Sequence, residues 1–302
     1  MKPVENIETN NSKKVLLFIV EGEADKIVLK LVSNILENNQ IIFHIVRGDI
    51  SSDWNVKISN VERKINHIIE QEKMKYMFKK SDILKVIHIF DMDGAYIADS
   101  LIKPSSSNDF VYNDDGIYCS NSDKVKSRNR HKRKVMDYLI SLKTIANKYK
   151  YECYYFSCNL DHALYNIRNL ADSQKTNMAN IFANNFSKKE KLFVDYLESE
   201  VACDVPNTYD DSWEFIRDNN NSLQRHTNFN LFFKYIGIVL KYKKYYTIIK
   251  YSFEDNVYYG KIEGIDSLIN FESCYLSNIE TEFHNAVDDY ISYCNEIKTT
   301  IE

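Results

Sequence analysis

Residues 15–26 read VLLFIVEGEADK, an apolar run that ends abruptly in acidic residues, and residues 86–94, VIHIFDMDG, repeat this arrangement. Each apolar run is about six residues long, which suits a buried β-strand and is too short to span a membrane. The first run leads into Glu21, and the second leads into Asp91 and Asp93. Both patterns therefore predict a strand that has carboxylates at its carboxyl end.

Carboxylates that follow neighbouring parallel strands should meet at one edge of the sheet, because ligand sites in such sheets lie beyond the carboxyl ends of the strands. Glu21, Asp91 and Asp93 would repel one another there unless a cation lay among them. Oxygen ligands of this kind suit Mg²⁺ or Mn²⁺ and disfavour zinc. We therefore expect Glu21, Asp91 and Asp93 to form a catalytic metal site.

Asp161 follows another predicted strand, YECYYFS, and so occupies the same kind of junction. It could be a fourth carboxylate of the metal site, or it could position the other three. As the N-cap of the next helix it would look identical in sequence, and this is the simpler interpretation. His162, the next residue, is a candidate acid or base only if it faces the metal site.

These motifs, in this order, resemble the Toprim domain of topoisomerases, primases and overcoming-lysogenization-defect nucleases. The matching residues are Glu21-Gly22, Gly48 after IIFHIVR, and Asp91-Met92-Asp93, so the resemblance covers roughly residues 12–100. Topoisomerases have a further acid after the second Asp, whereas this chain has Gly94-Ala95-Tyr96. The resemblance therefore implies a nuclease-like or inactive relative, with Mg²⁺ or Mn²⁺ as the cofactor of an active one.

A basic stretch, KVKSRNRHKRK, occupies residues 124–134 at the end of an insertion of about residues 95–134. It holds seven Lys or Arg in eleven positions, on a chain whose net charge is −4. Such density suits a nucleic-acid backbone, and a solvated helix start is the alternative. The predicted nucleic-acid-binding residues are Lys124, Lys126, Arg128, Arg130, Lys132, Arg133 and Lys134.

The C-terminal residues change character and predict a separate α+β module. Its expected elements are strands at 245–253, 257–262 and 269–271 and a helix at 279–297. This order is similar to the antitoxin fold of the HicB family, and the matching residues are Tyr245-Tyr246, the acidic turn 254–256, residues 260–265, Phe271-Glu272 and residues 283–290. Ser273-Cys274 replaces the family's usual Gly, so the third turn should differ. Many members of the family continue into a DNA-binding segment, for which this chain has no room before Glu302, so we expect self-association or a protein partner.

A length of 302 residues predicts two domains, and 44% hydrophobic residues are enough for packed cores. Six scattered Cys lack metal-ligand spacing, and the polar N-terminus lacks a signal-peptide core, so a soluble, cytoplasmic protein without membrane contact is expected. The predicted class is α/β, with a parallel sheet flanked by helices. The predicted parts are a flexible arm (1–12), a Toprim-like domain (13–162), a helical subdomain (163–238) and a HicB-like module (239–302).

The periodicity of apolar residues also locates individual elements. Besides the runs above, the predicted strands are 41–46, 83–90 and 151–157, and the predicted helices are 24–37, 58–80, 136–148 and most of 163–235. His88, inside the third strand, is expected to be an ordinary core residue.

Three hypotheses for the function follow from these observations. The first is a metal-dependent nuclease acting on DNA or RNA, of the toxic type that recurs in bacterial anti-phage defence, with the HicB-like module controlling oligomerisation or regulation. The second is a non-catalytic, antitoxin-like protein that binds a partner through this module on an inactive Toprim scaffold. The third treats both acidic strand ends as N-caps of the following helices.

Overall fold

The computed structural model describes residues 14–36, 41–47, 50–105, 110–187, 190–234, 238–252, 255, 257–274 and 276–301. They form a mixed α/β structure with both parallel and antiparallel sheets. The predicted N-terminal arm, the predicted Gly48 motif and most of the predicted acidic turn at 254–256 lie outside these residues.

The strands are β1 (Lys14–Val20), β2 (Ile41–Arg47), β3 (Ile83–Asp91), β4 (Ile102–Pro104), β5 (Val111–Asn113), β6 (Gly116–Cys119), β7 (Thr144–Ile145), β8 (Tyr149–Ser157), β9 (His226–Thr227), β10 (Ile238–Tyr242), β11 (Tyr245–Ser252), β12 (Val257–Lys261) and β13 (Asn270–Ser273). The α-helices are α1 (Glu23–Leu36), α2 (Val61–Tyr76), α3 (Ser122–Ser141), α4 (Leu160–Tyr165), α5 (Asp172–Phe186), α6 (Glu190–Tyr196), α7 (Tyr209–Arg217), α8 (Asn230–Lys234) and α9 (Leu276–Ile301).

The main sheet has the order β2-β1-β3-β8, and all neighbours in this series are parallel. Short antiparallel strands, β7 and β9, pair with the two ends of β8. Because β1 and β3 run side by side in the same direction, the residues that follow them emerge at one edge. The predicted parallel sheet is thus present, and it brings together the two acidic junctions.

Helices cover both faces of this sheet, which explains why β1 is apolar at every position from Val15 to Val20 instead of alternating. Leu16, Phe18 and Val20 pack into one core with residues of α1, α5 and α8. Val15, Leu17 and Ile19 face the opposite core, which includes residues of α2 and α3. His88 of β3 is fully buried, and its Nδ1 lies 2.6 Å from the hydroxyl of Tyr151. The prediction of a core histidine is therefore confirmed.

The region between β3 and α3, predicted to be a surface insertion, contains regular secondary structure. It contains a small sheet of order β4-β6-β5, and Gly116 has φ of +150° where β6 passes Leu101. A Cβ on Gly116 would lie 2.2 Å from the carbonyl oxygen of Leu101, so only glycine fits this close approach.

The predicted helix at 136–148 is wrong in both bounds. The basic stretch already belongs to α3, which begins at Ser122 because the side chain of Asn121 accepts a hydrogen bond from the amide of Lys124. The helix ends at Ser141, and β7 then turns back to pair with β8. The described residues between 163 and 234 are mostly helical as predicted, except that β9 interrupts them to extend the main sheet.

The C-terminal module has an antiparallel sheet of order β10-β11-β12-β13, with α9 packed on one face. The three predicted strands and the helix are confirmed, whereas β10 was missed. Phe283 and Val287 of α9 are fully buried, in the same core as Phe271 of β13. A Cβ on Gly260 would lie 2.7 Å from both the Phe271 ring and the Thr247 hydroxyl, so this close packing requires glycine.

Among the described residues, no helix combines the length and the apolar character that crossing a membrane requires.

Candidate active site

The carboxylates of Glu21 and Asp91 lie at the same edge of the main sheet, where β1 and β3 end. Glu21 Oε1 accepts a hydrogen bond of 2.6 Å from the Ser51 hydroxyl. Asp91 Oδ1 accepts one of 2.8 Å from the amide of Leu160, the first residue of α4. Each carboxylate is thus oriented by an element other than its own strand.

Asp93 is held by a tightly bonded turn after β3. It has φ of +52°, a left-handed conformation that Asp tolerates better than most residues. Its amide donates to the carbonyl of Cys158 (2.6 Å), and its own carbonyl accepts from Arg128 Nη2 (2.9 Å). Asp93 Oδ1 accepts from the Tyr112 hydroxyl at 2.9 Å. The turn therefore fixes the Asp93 side chain close to Asp91.

Lys132 of α3 supplies a cation inside this group of acids. Its side chain is completely buried, with Nζ 2.6 Å from Asp93 Oδ2 and 3.6 Å from Glu21 Oε2. Burial alone would lower the pKa of Lys132, but the charges of Asp93 and Glu21 outweigh burial and raise it above its ordinary value. Lys132 is therefore a permanent positive charge that bridges the two strand ends.

Asp91 and Asp93 have opposite pKa shifts although they are two residues apart. Burial raises the pKa of Asp91, and the negative charges of Asp25, Glu21 and Asp93 raise it further. Burial also acts to raise the pKa of Asp93, but Lys132 and Arg128 outweigh it, so that this pKa falls below its ordinary value. Of these two acids, Asp91 thus has the less compensated charge.

Asp25, in the first turn of α1, belongs to the same cluster. Its Oδ2 accepts a hydrogen bond of 2.7 Å from the amide of Gly22. Of the neighbouring charges, that of Asp25 has the largest effect on Asp91. The proximity of Asp25 to Asp91 is an addition from the structure. We use the name carboxylate cluster for Glu21, Asp25, Asp91 and Asp93.

The carboxylate cluster suits a hard divalent cation in its chemistry, because all its side-chain donors are carboxylate oxygens and they outnumber the nearby cations, Lys132 and Arg128. Within the part of the chain that the structure describes, no three His, Cys, Asp or Glu side chains are arranged to hold a metal ion. Lys132 occupies the cation position between Glu21 and Asp93. The donor type and charge of the carboxylate cluster thus fit Mg²⁺ or Mn²⁺. The positions of the Glu21 and Asp93 side chains, however, are those of two acids that both contact Lys132.

The N-cap interpretation of Asp161 is wrong, because Asn159 caps α4 by accepting a hydrogen bond from the amide of His162. Asp161 lies inside the first turn and is buried, and burial raises its pKa to about 6. Lys175 Nζ, 3.8 Å from Asp161 Oδ2, acts against this increase, while the charge of Asp25 adds to it. Asp161 is therefore electrostatically linked to the carboxylate cluster.

His162 is held in a neutral form by its own loop. Its Nδ1 accepts a hydrogen bond of 3.2 Å from the amide of Cys158, and burial lowers its pKa to about 4. These contacts explain the position of His162 without any role as an acid or base.

The basic stretch divides between two faces of α3. Arg128 and Lys132, one helical turn apart, point toward Asp93, and Lys132 has no surface available for a nucleic-acid backbone. The predicted nucleic-acid-binding set is therefore corrected at Lys132, because α3 packs this side chain into the core. Of the others, Lys124, Arg130 and Lys134 are exposed, and Lys126 and Arg133 are half-buried.

Some residues of the site were not found from the sequence. Ser51 and Tyr112 touch Glu21 and Asp93 but lie in segments that have no recognisable motif. Lys132 did have a signal, because Val125, Asn129, Lys132 and Met136 follow helical spacing and are all buried. The basic character of the stretch obscured this inward face.

Comparisons of this chain with protein-family models, with curated proteins and with solved structures found no match.

Proposed function

We propose that the carboxylate cluster is a catalytic site that hydrolyses phosphodiester bonds of DNA or RNA with the help of Mg²⁺ or Mn²⁺. The observation that supports this most is the meeting of Glu21, Asp91 and Asp93 at the carboxyl ends of adjacent parallel strands. Their repulsion is only partly balanced by Lys132, so a divalent cation would relieve it. The resemblance of the strand-end motifs to Toprim nucleases points the same way.

In this proposal, Glu21, Asp25 and Asp91 would hold the cation, with Asp93 as a further ligand. When bound, the cation would supply positive charge for the phosphodiester and increase the acidity of water. Lys132, whose pKa is raised, stays protonated and fixes the separation of Glu21 and Asp93. Arg128 holds the backbone of the Asp93 turn through the Asp93 carbonyl. Asp161 remains a candidate fourth carboxylate.

The exposed cations of α3 provide a surface for the nucleic-acid backbone. Lys124, Arg130 and Lys134 are accessible to solvent on the helix whose inner face contacts the carboxylate cluster. Cations on such a surface bind phosphates by releasing counterions, so the affinity should decrease as salt increases.

The C-terminal module is proposed to be HicB-like and to control self-association or regulation. By the resemblance to overcoming-lysogenization-defect Toprim nucleases, the cellular role would be that of a toxic effector in bacterial anti-phage defence. A second candidate function is favoured by the face of its sheet away from α9, where Tyr246, Ile248 and Tyr259 are 40–43% exposed. Such a face could bind a protein partner even if the carboxylate cluster were inactive.

The experiment that separates these functions is a cleavage assay of the purified full-length protein. Plasmid, single-stranded DNA and tRNA are incubated with Mg²⁺, with Mn²⁺ or with EDTA, beside an Asp91→Ala, Asp93→Ala double variant. We expect cleavage that needs the metal and is lost in the double variant. Cleavage that ignores the metal or the double substitution, or no cleavage of any substrate, would leave the partner-binding function as the better hypothesis.

A further inference from the structure

A cleft of about 310 Å³ lies beside the carboxylate cluster and has no role in the proposed hydrolysis. It is bounded by the segment before α2, the residue before β5 and the first turns of α3, and is lined by Trp54, Phe110, Asn121, Lys124, Val125 and Arg128. Small-molecule sites range from about 300 to 1,000 Å³. The cleft therefore has room for one planar ring system and not for a folded chain.

Two aromatic side chains of the cleft are accessible although they are held in place. Trp54 is 51% exposed and stacks on His131, with ring centroids 5.1 Å apart and an angle of 28° between the rings. Phe110 is 39% exposed, and the guanidinium carbon of Arg128 lies 4.9 Å from its ring centroid. Aromatic rings that are fixed yet exposed are suited to stacking a further flat group.

The charge of the cleft selects the kind of flat group. Lys124 and Arg128 contribute two cations, and none of the lining residues within the described part of the chain is acidic. An uncharged aromatic ligand would make no use of these cations. A base attached to a phosphate would use both the rings and the charges.

Arg128 and Tyr112 connect the cleft to the carboxylate cluster, because both side chains contact Asp93. Arg128 lines the cleft and donates to the carbonyl of Asp93. Tyr112 packs edge-on against Phe110, with ring centroids 4.9 Å apart, and its hydroxyl donates to Asp93 Oδ1. A base in the cleft would therefore be attached to a backbone that runs past Asp93.

We infer that this cleft binds one unpaired base of a single-stranded nucleic acid, so that single strands are the substrate class of the carboxylate cluster. This inference rests on the proposed phosphodiester hydrolysis, whose substrate it specifies. A paired base already stacks on both faces within its duplex, and releasing it costs a few kcal/mol. A single strand offers such a base without that cost, and Trp54 would stack on it.

The inference is tested by binding in EDTA, where metal-dependent cleavage does not interfere. A labelled 12-nucleotide single strand, the matching duplex and a mononucleotide are titrated with the full-length protein and followed by anisotropy. We expect the single strand to bind best and Trp54→Ala to weaken its binding roughly tenfold or more, with little loss for Trp54→Phe. Tyr293→Ala, which removes a 59% exposed aromatic from α9, is the control and should bind normally.

Tryptophan fluorescence gives a second measurement on the same samples. Trp54 is exposed and Trp213 is 1% exposed, so stacking of a base should quench the Trp54 emission and leave that of Trp213. Phe110→Ala should weaken single-strand binding in the same direction, which keeps the test informative if Trp54→Ala does not fold.

Three outcomes would overturn the inference: equal binding of single strand and duplex, equal binding of mononucleotide and single strand, or unchanged single-strand binding in both aromatic variants. A cleavage assay distinguishes failure of this inference from failure of the proposed phosphodiester hydrolysis. If the Trp54→Ala and Phe110→Ala variants cleave single strands normally in Mg²⁺ while the Asp91→Ala, Asp93→Ala variant does not, the base site is refuted and hydrolysis stands. If single strands bind through Trp54 but are never cleaved, hydrolysis is refuted and the base site stands.

Discussion

Two ion pairs of equal length, Lys132–Asp93 and Lys243–Asp288, belong to very different regions of the molecule. Both have a nitrogen–oxygen distance of 2.6 Å. In the carboxylate cluster the two side chains are 0% and 20% exposed, whereas in the C-terminal module they are 47% and 48% exposed. Distance alone therefore says little about what an ion pair does, because burial decides whether water can replace either partner.

The buried pair also has neighbours that the exposed pair lacks in the described structure. Lys132 contacts Glu21 as well as Asp93, and its charge lowers the pKa of Asp91 against the repulsion of the other acids. Removing one member of the buried pair should thus disturb the whole carboxylate cluster.

The largest effect is expected for Lys132→Met. This change keeps the approximate length of the side chain but removes the cation that lies between Glu21 and Asp93. We expect the free energy of unfolding to fall by about 3–5 kcal/mol, measured by urea denaturation at pH 7. Lys134→Met, on the exposed side of α3, is the matched control. An unchanged midpoint for Lys132→Met would show that the acids do not depend on this lysine.

The next largest effect is expected for Asp91→Asn and Asp93→Asn. These two substitutions should change the free energy of unfolding, measured in EDTA, in opposite directions. Asn at position 91 removes a negative charge that Asp25, Glu21 and Asp93 repel. Its side-chain oxygen can still accept the hydrogen bond from the amide of Leu160. We therefore expect the free energy of unfolding to increase by about 0.5–2 kcal/mol. Asn at 93 removes the partner of Lys132 and should destabilise the protein.

Both substitutions are nearly isosteric, so each serves as the control for the other. Changes of the same sign in the two variants would contradict the charge distribution described for the carboxylate cluster. The comparison does not depend on any enzymatic activity, because only unfolding is measured.

A smaller effect is expected when Mg²⁺ or Mn²⁺ replaces EDTA at constant ionic strength. A cation that binds only the folded protein adds about 1.4 kcal/mol of stability when its concentration is ten times its dissociation constant. Thermal unfolding of the unaltered protein should therefore shift upward, and the shift should be lost in Asp91→Asn. The same shift in both proteins would place the metal elsewhere, and no shift at any concentration would refute metal binding.

The smallest effect is expected for Lys243→Met in the C-terminal module. Both partners of this pair are exposed, so water can solvate Asp288 once the lysine is gone. We expect no measurable change in the urea midpoint, at low or high salt. A clear loss of stability that depends on protein concentration would show that another copy of the chain covers this pair.

The features that could be predicted from sequence are those that depend on nearby residues. The runs before Glu21 and Asp91 are continuous apolar segments that end in acid, and this local pattern indicates buried strands with carboxylates at one end. The hairpin of β11 and β12 and the helix α9 were likewise found from local periodicity. The strand β10 was missed because it lies between the predicted helical segment, which ends at 235, and the predicted strand that begins at 245.

The sequence by itself determined that this chain forms strands ending in acid, a basic stretch, and a C-terminal set of strands followed by a helix. Only the tertiary structure decided which cation those acids meet, because Lys132 lies 39 residues from Asp93 and is turned inward by the packing of α3. The same holds for Tyr112, whose contact with Asp93 depends on the small sheet between β3 and α3. Strand ends follow from local patterns, whereas partners across the fold depend on packing that acts over long sequence separations.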